Sequence, residues 1–110
     1  MERLENYKKI IKDTLQPHAN GESNYGIDTY FVADDKNGQY LLVNSGWREG
    51  HRNYGCFLHI CIKNDKVYIE YDGTDWDFAQ ALADAHIPKE DIVLAFQAPV
   101  KRPFTGYAVA

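Results

Sequence analysis

The pattern of apolar and polar positions is set most sharply between Tyr54 and Thr74. Two runs rich in β-branched and aromatic residues flank the polar tetrapeptide Lys63-Asn64-Asp65-Lys66, which predicts a β-hairpin. With Asn64-Asp65 as a two-residue loop, Lys63 faces Lys66, and counting outward sets Ile62 against Val67, Ile60 against Ile69 and Leu58 against Tyr71. The other face pairs Cys61 with Tyr68 and His59 with Glu70. A slip of one residue would exchange the two faces, so the pattern itself fixes the register. It places Leu58, Ile60, Ile62, Val67 and Ile69 in a core. The hairpin then feeds Asp72-Gly73-Thr74, a turn signal ahead of a helix.

Helical spacing governs residues 3–16, where Leu4, Tyr7, Ile10 or Ile11, and Leu15 recur while Lys8, Lys9, Lys12 and Asp13 fill the other side. Pro17 ends that helix. The Asn-, Gly- and Ser-rich stretch His18–Gly26 carries no periodicity and reads as a loop, with His18 exposed to solvent. Ile27–Ala33 and Gln39–Asn44 form a second hairpin across Asp34–Gly38, whose Asn37-Gly38 pair supplies the positive φ angles of a tight turn. Ser45–Asn53 reads as a loop that displays Trp47, Arg48, His51 and Arg52. Two readings of it stand side by side: a mobile connection with Trp47 tucked under the sheet, or a binding surface.

Thr74 caps a second helix with Asp75 and Asp77 in its first turn, an apolar stripe of Phe78, Ala79, Leu82 and Ala85, and Pro88 barring extension past Ile87. Pro88–Asp91 follows as a single turn. Ile92–Phe96 is either a short strand or a buried extended run, because length does not separate the two. The tail carries two prolines, the basic pair Lys101-Arg102 and an apolar end. Together these elements predict an α+β fold: an antiparallel β-meander of about four strands with helices packed on one face.

Composition narrows this picture. A chain of 110 residues, 45% hydrophobic and 25% charged, fits one globular domain spanning 1–110. With eight tyrosines and two tryptophans, much of the aromatic bulk is expected to be half-buried or to face a partner. No apolar run approaches the roughly 18 residues of a membrane span, and the opening MERLENYKKIIKD is too charged for a secretory signal. A cytosolic protein is expected. Cys56 and Cys61 share one strand and lie about 16 Å apart, beyond disulfide reach. Four scattered histidines and two cysteines give no metal-ligand spacing, and no cofactor signature is present.

The run YGCFLHICIKNDKVYIEYDGT, followed by IPKEDIVLAF, an Ala-Pro, Lys101-Arg102 and the Thr105–Val109 ending, resembles the XisI-like family of fdxN element excision controlling factors. The resemblance extends from the LENYKKII opening through Ser45-Gly46-Trp47 to the end. Gln97 stands where a histidine is expected after the Phe, and Asp75 where Glu commonly follows Gly-Thr. The resemblance implies a small α+β fold without catalytic chemistry. It also implies a regulatory part in site-specific excision of a DNA element, alongside a recombinase and a companion XisH-type factor.

Two other functions are weighed against that one. A small hydrolase would use His59 with Glu70 and Asp72 as an acid–base group, yet a cross-strand pair of this kind equally stabilises a hairpin. An accessory DNA-contacting subunit would need concentrated positive charge. The chain carries a formal charge of -4, and only Lys8-Lys9-Lys12, Arg48 with Arg52, and Lys101-Arg102 supply cations. DNA contact is therefore expected only indirectly or within a complex. The expected docking surface is the sheet face opposite the helices, with Phe57, His59, Cys61, Tyr68 and Glu70 exposed and Trp47, Arg48 and Arg52 at its edge. Lys101 and Arg102 are further candidates. Its occupant would be the companion factor or a second copy of the chain, unless residues 96–109 fold back to cover it.

Overall fold

In the computed structural model, which describes residues 2–24 and 26–110, the first helix, α1 (Glu2–Leu15), leads through a 3-10 turn at Gln16–His18 into a six-stranded sheet. The strands follow in chain order: β1 (Asn20–Asn24), β2 (Ile27–Asp34), β3 (Gln39–Arg48), β4 (His51–Lys63), β5 (Lys66–Asp72) and β6 (Ile92–Leu94). The first five pair antiparallel, whereas β6 runs parallel to β5. A parallel neighbour requires a crossover, and the second helix, α2 (Phe78–Asp84), supplies it. The four strands expected from periodicity are β2–β5. The extra two come from the stretch read as a loop, which forms β1, and from Ile92–Phe96, whose first three residues form β6. Asn20–Asn24 lacks apolar alternation because it is held to the sheet edge by its backbone pairing with β2.

Burial explains why both helices choose one face. Tyr7, Ile11 and Leu15 of α1 and Phe78, Ala79 and Leu82 of α2 share a core with Tyr40, Leu42, Leu58, Ile60, Val67, Ile69, Ile87 and Ile92. Of the five expected hairpin core residues, four are buried and Ile62 packs half-buried against them. Two polar ties cross the layers. Tyr7 Oη donates to the Asp91 carboxylate. Burial, reinforced by that bond, pushes the Tyr7 hydroxyl up to about 12. Asp35 accepts from Lys12 Nζ and Tyr40 Oη, each at 2.7 Å. His18 is not the exposed residue expected, since its ring lies 4.3 Å from Trp76 and 5.2 Å from Phe78.

Turn chemistry departs from the expectation in three places. Asn64 and Asp65 both take positive φ, at 53° and 61°, as the two-residue hairpin loop requires. Of Asn37-Gly38, however, only Gly38 does, because the Asp34 carboxylate accepts from Asn37 N at 3.0 Å and holds that residue in an Asx turn. The second helix is capped by Asp77, which accepts from Gln80 N at 3.0 Å, rather than by Thr74. Thr74 is already engaged with Asp72 Oδ1, through its N at 2.9 Å and its hydroxyl at 2.6 Å. The third departure is the supposed loop Ser45–Asn53. It is regular hairpin through Arg48 and His51, closed by Glu49 and Gly50 at φ 51° and 79°.

Two bulges alter the register beyond what counting predicts. Pairing agrees from Lys63↔Lys66 to Ile60↔Ile69, after which Glu70 becomes an extra residue, so His59 faces Tyr71 and Leu58 faces Asp72. A second shift in the β3–β4 ladder makes Phe57 the extra residue between the pairs Leu42↔Leu58 and Val43↔Cys56.

Candidate protein-docking face

Strand alternation turns one set of side chains away from the helices, and the register decides which. Leu42 and Leu58 point into the core, so their odd-numbered neighbours on β3, from Gln39 to Trp47, point to the other face. Matched across the ladders, that face carries Val32, Leu41, His59 and Tyr71 in one row and Tyr30, Val43 and Cys56 in the next. Beyond these come Ser45 with Tyr54, and finally Trp47 with Arg52. Four of its aromatic side chains stand largely in solvent: Tyr30 at 51% exposure, Trp47 at 60%, Tyr54 at 71% and Tyr71 at 52%. Exposed aromatic bulk on one continuous face, with hydrogen-bonding groups at its margin, is the composition of a protein interface.

Arg52 is built into this face. Its guanidinium lies 5.3 Å from the Tyr54 ring centroid and 5.8 Å from that of Trp47. It donates to Gly46 O at 3.4 Å and to Ser45 Oγ at 3.3 Å. A planar cation held between two rings stiffens the aromatic edge. Trp47 is therefore not tucked beneath the sheet. Arg48, also exposed, sits at the hairpin tip on the opposite side of the strand from Trp47.

The remaining expected site residues divide. His59 stays on the face, half-buried, its Nε2 2.7 Å from Gln39 Oε1, which can only accept. Glu70, half-buried, accepts instead from Cys61 Sγ and Lys63 Nζ, both at 3.3 Å. Burial alone would raise the Glu70 carboxyl, but these two bonds, together with the charges of Lys63 and His59, outweigh it and hold the group below its ordinary value. The expected acid–base group is not hydrogen-bonded together: the bulge sets His59 opposite Tyr71, His59 bonds with Gln39, Glu70 with Cys61 and Lys63, and Asp72 with Thr74. Phe57 is a correction as well. The bulge turns it to the helix side, where it packs on the main core.

Tyr68 and Cys61, expected on the open face, are buried with Val93 in a second small core, against which Ala95 and Ala108 pack. That core exists because β6 widens the sheet and Ala108 N, donating to Ile92 O at 2.8 Å, widens it again. The tail therefore covers the far end of the face from its edge rather than folding across it. Arg102 is the clamp that holds the tail there. It donates to Gln97 O at 3.0 Å, Ala95 O at 3.2 Å and Val109 O at 3.5 Å, while Lys101 remains exposed. Tyr30, Val32, Tyr54 and Tyr71 are the surface residues that sequence reasoning missed. The alternation of Tyr30 and Val32 around Phe31 was the available signal.

Cys56 and Cys61 are both free, the first exposed and the second buried. Burial, with the bond to Glu70, pushes the Cys61 thiol up to about 11. A thiol-specific reagent at neutral pH should therefore label one cysteine, Cys56, in the folded protein and two after denaturation. Cys61 labelling in the native state should rise only as pH approaches the shifted value. Fast labelling of both at pH 7 would contradict this placement. Among the described residues no group of histidine, cysteine and carboxylate side chains could hold a metal, and no helix is long and apolar enough to cross a membrane.

Comparison with known proteins gives a consistent result. The model of the XisI protein family matches residues 1–109. Among solved structures, a XisI-like protein from Anabaena variabilis ATCC 29413 is 34% identical, with 97% of this chain and 99% of that chain covered and a TM-score of 0.88. The fdxN element excision controlling factor XisI from the same organism is 30% identical over 98% of this chain and 99% of its own, with a TM-score of 0.75. No curated protein matches the chain.

Proposed function

The chain belongs to the XisI family, and from that premise we propose that it is a non-catalytic regulatory factor in the excision of a DNA element. It acts by binding protein, a companion XisH-type factor and through it a site-specific recombinase. Support for the excision role comes from the 30% identical relative that is named an excision controlling factor. The observation that carries the binding mode is the helix-free sheet face with Tyr30, Tyr54 and Tyr71 exposed upon it. Its one central cation, Arg52, is occupied with Trp47, Tyr54 and backbone. A net charge of -4 further disfavours the counterion release by which proteins grip DNA alone.

The test combines capture and titration. Tyr30→Ser with Tyr71→Ser removes two aromatic anchors from the surface without opening the core, and should abolish capture of the companion factor while leaving the unfolding transition in place. Loss of anchor residues of this kind typically weakens an interface by about 2 kcal/mol or more each. Phe57 and Tyr68 are unsuitable for this purpose, because both are packed and serine there would destabilise the fold. A gel-shift of the purified chain on element-end DNA at moderate salt should show no specific complex. Tight, sequence-dependent binding by this chain alone would overturn the reading in favour of a DNA-contacting subunit.

A further inference from the structure

The β3–β4 hairpin leaves one backbone edge without a neighbour. Ladder pairing of β4 with β5 ends at Leu58↔Asp72, where Gly73 N donates to Phe57 O at 2.8 Å and the chain turns away. Among the described residues nothing pairs with the outer edge of residues 51–56. The direction of its groups can be worked out. Trp47 N donates to Gly26 O at 3.1 Å, so Trp47 turns its backbone groups toward β2, and its neighbours Gly46 and Arg48 turn theirs toward Asn53 and His51. Arg52 and Tyr54, opposite Trp47 and Ser45, therefore direct their N–H and C=O outward.

We infer that this edge pairs antiparallel with the same edge of a second copy of the chain, across a two-fold axis at Asn53. Exposed edges are ordinarily guarded by lysine, proline or a covering segment. Here no proline or lysine lies in His51–Cys56, and the only permanently charged side chain, Arg52, is folded over Trp47 and Tyr54 on the sheet face. The register follows by elimination. Outward-facing residues must meet outward-facing residues, so the axis falls on a residue and not between two. An axis at His51 sets only the turn opposite Arg52, and one past Tyr54 runs further into β5, which leaves Arg52, Asn53 and Tyr54. An axis at Arg52 sets two guanidiniums face to face. An axis at Tyr54 drives the turn of the second copy, Glu49-Gly50, against Leu58 and His59, where β5 already sits.

An axis at Asn53 brings that turn opposite Cys56 and Phe57, beyond the last pair of β4 with β5, where Gly73, donating to Phe57 O at 2.8 Å, bounds the free edge. In that register Arg52 exchanges two hydrogen bonds with Tyr54 of the second copy, and the reverse pair adds two more. Each guanidinium also meets a tyrosine ring across the axis, the contact that it already makes within one chain at 5.3 Å. The edge of β2 beyond Thr29, also unpaired among the described residues, ends in Asp34 and offers no such self-complementarity. The resulting two-fold dimer joins the two aromatic faces into one continuous surface.

Sedimentation or light scattering on the full chain should give twice its 12.6 kDa mass. Tyr54→Pro should return it to the mass of one chain with an unchanged circular dichroism spectrum, because the N–H it deletes points outward and no bond within the chain is lost. Asn53→Cys in a Cys56→Ser background should form a covalent dimer on mild oxidation, since like residues on the axis of a non-hydrogen-bonded pair lie about 4.5 Å apart at Cα. Adding Tyr54→Pro should prevent that cross-link. A monomer at the highest soluble concentration overturns the inference. So does a dimer that persists in folded Tyr54→Pro, or a failure of the axial cysteines to join.

Discussion

Replacing Phe78 with alanine should lower the free energy of unfolding by about 3–5 kcal/mol, the range for deleting a fully buried aromatic side chain. Phe78 is 2% exposed and opens a helix of seven residues, too short to persist without tertiary contacts. What keeps α2 in place is its apolar stripe, Phe78 with Ala79 and Leu82, set against the hairpin core. Removing the ring leaves a cavity bounded on one side by the stacked rings of His18, 5.2 Å away, and Trp76, 6.0 Å away. Denaturant unfolding followed by tryptophan fluorescence reads the change. A loss under about 1 kcal/mol would mean that the site collapses around the smaller side chain. Trp76→Ala offers the contrast, because that indole is more than half exposed and should matter far less.

The hairpin at the centre of the chain was readable because its two faces differ in kind at every step. Lys63-Asn64-Asp65-Lys66 admits one loop, and from it Ile62, Ile60, Val67 and Ile69 follow by counting. Counting fails at Glu70 and Phe57, since a bulge adds a residue without changing the local composition. The same cause removed Phe57 from the docking face and separated Glu70 from His59. Tyr68 and Cys61 were misplaced for a different reason. Their burial depends on Val93 and Ala108, residues far along the chain whose pairing leaves no trace in the sequence around them. The Ser45–Asn53 stretch looked like a loop because glycine and charge stand for flexibility in most sequences. Here Gly50 serves the turn and Gly46 serves a close approach of two strands.

That close approach makes Gly46→Ala the substitution that most directly joins fold to function. A Cβ at position 46 would lie 2.1 Å from Gly26 O and 2.7 Å from Ile27 Cα. Both obstacles are backbone atoms of the neighbouring strand, so no side-chain rotation relieves the contact. Overpacking typically costs about 1–3 kcal/mol, and a clash with backbone belongs at or above the top of that range. Relief requires β2 and β3 to part at Ile27↔Gly46, which breaks the bond from Trp47 N to Gly26 O. The hairpin end that carries Trp47 and Arg52 would then lose its support from β2, while the core beneath Leu42 and Leu58 stays packed. The expected result is therefore split. Stability should fall by about 3 kcal/mol, and amide exchange should accelerate first in β2 and the outer parts of β3 and β4. Capture of the companion factor should weaken more than the unfolded fraction accounts for, because the aromatic edge is displaced even in molecules that remain folded. Unchanged stability would show that the strands already stand further apart than the register implies. Unchanged capture at reduced stability would remove Trp47 and Arg52 from the docking surface and leave it to Tyr30, Val32 and Tyr71.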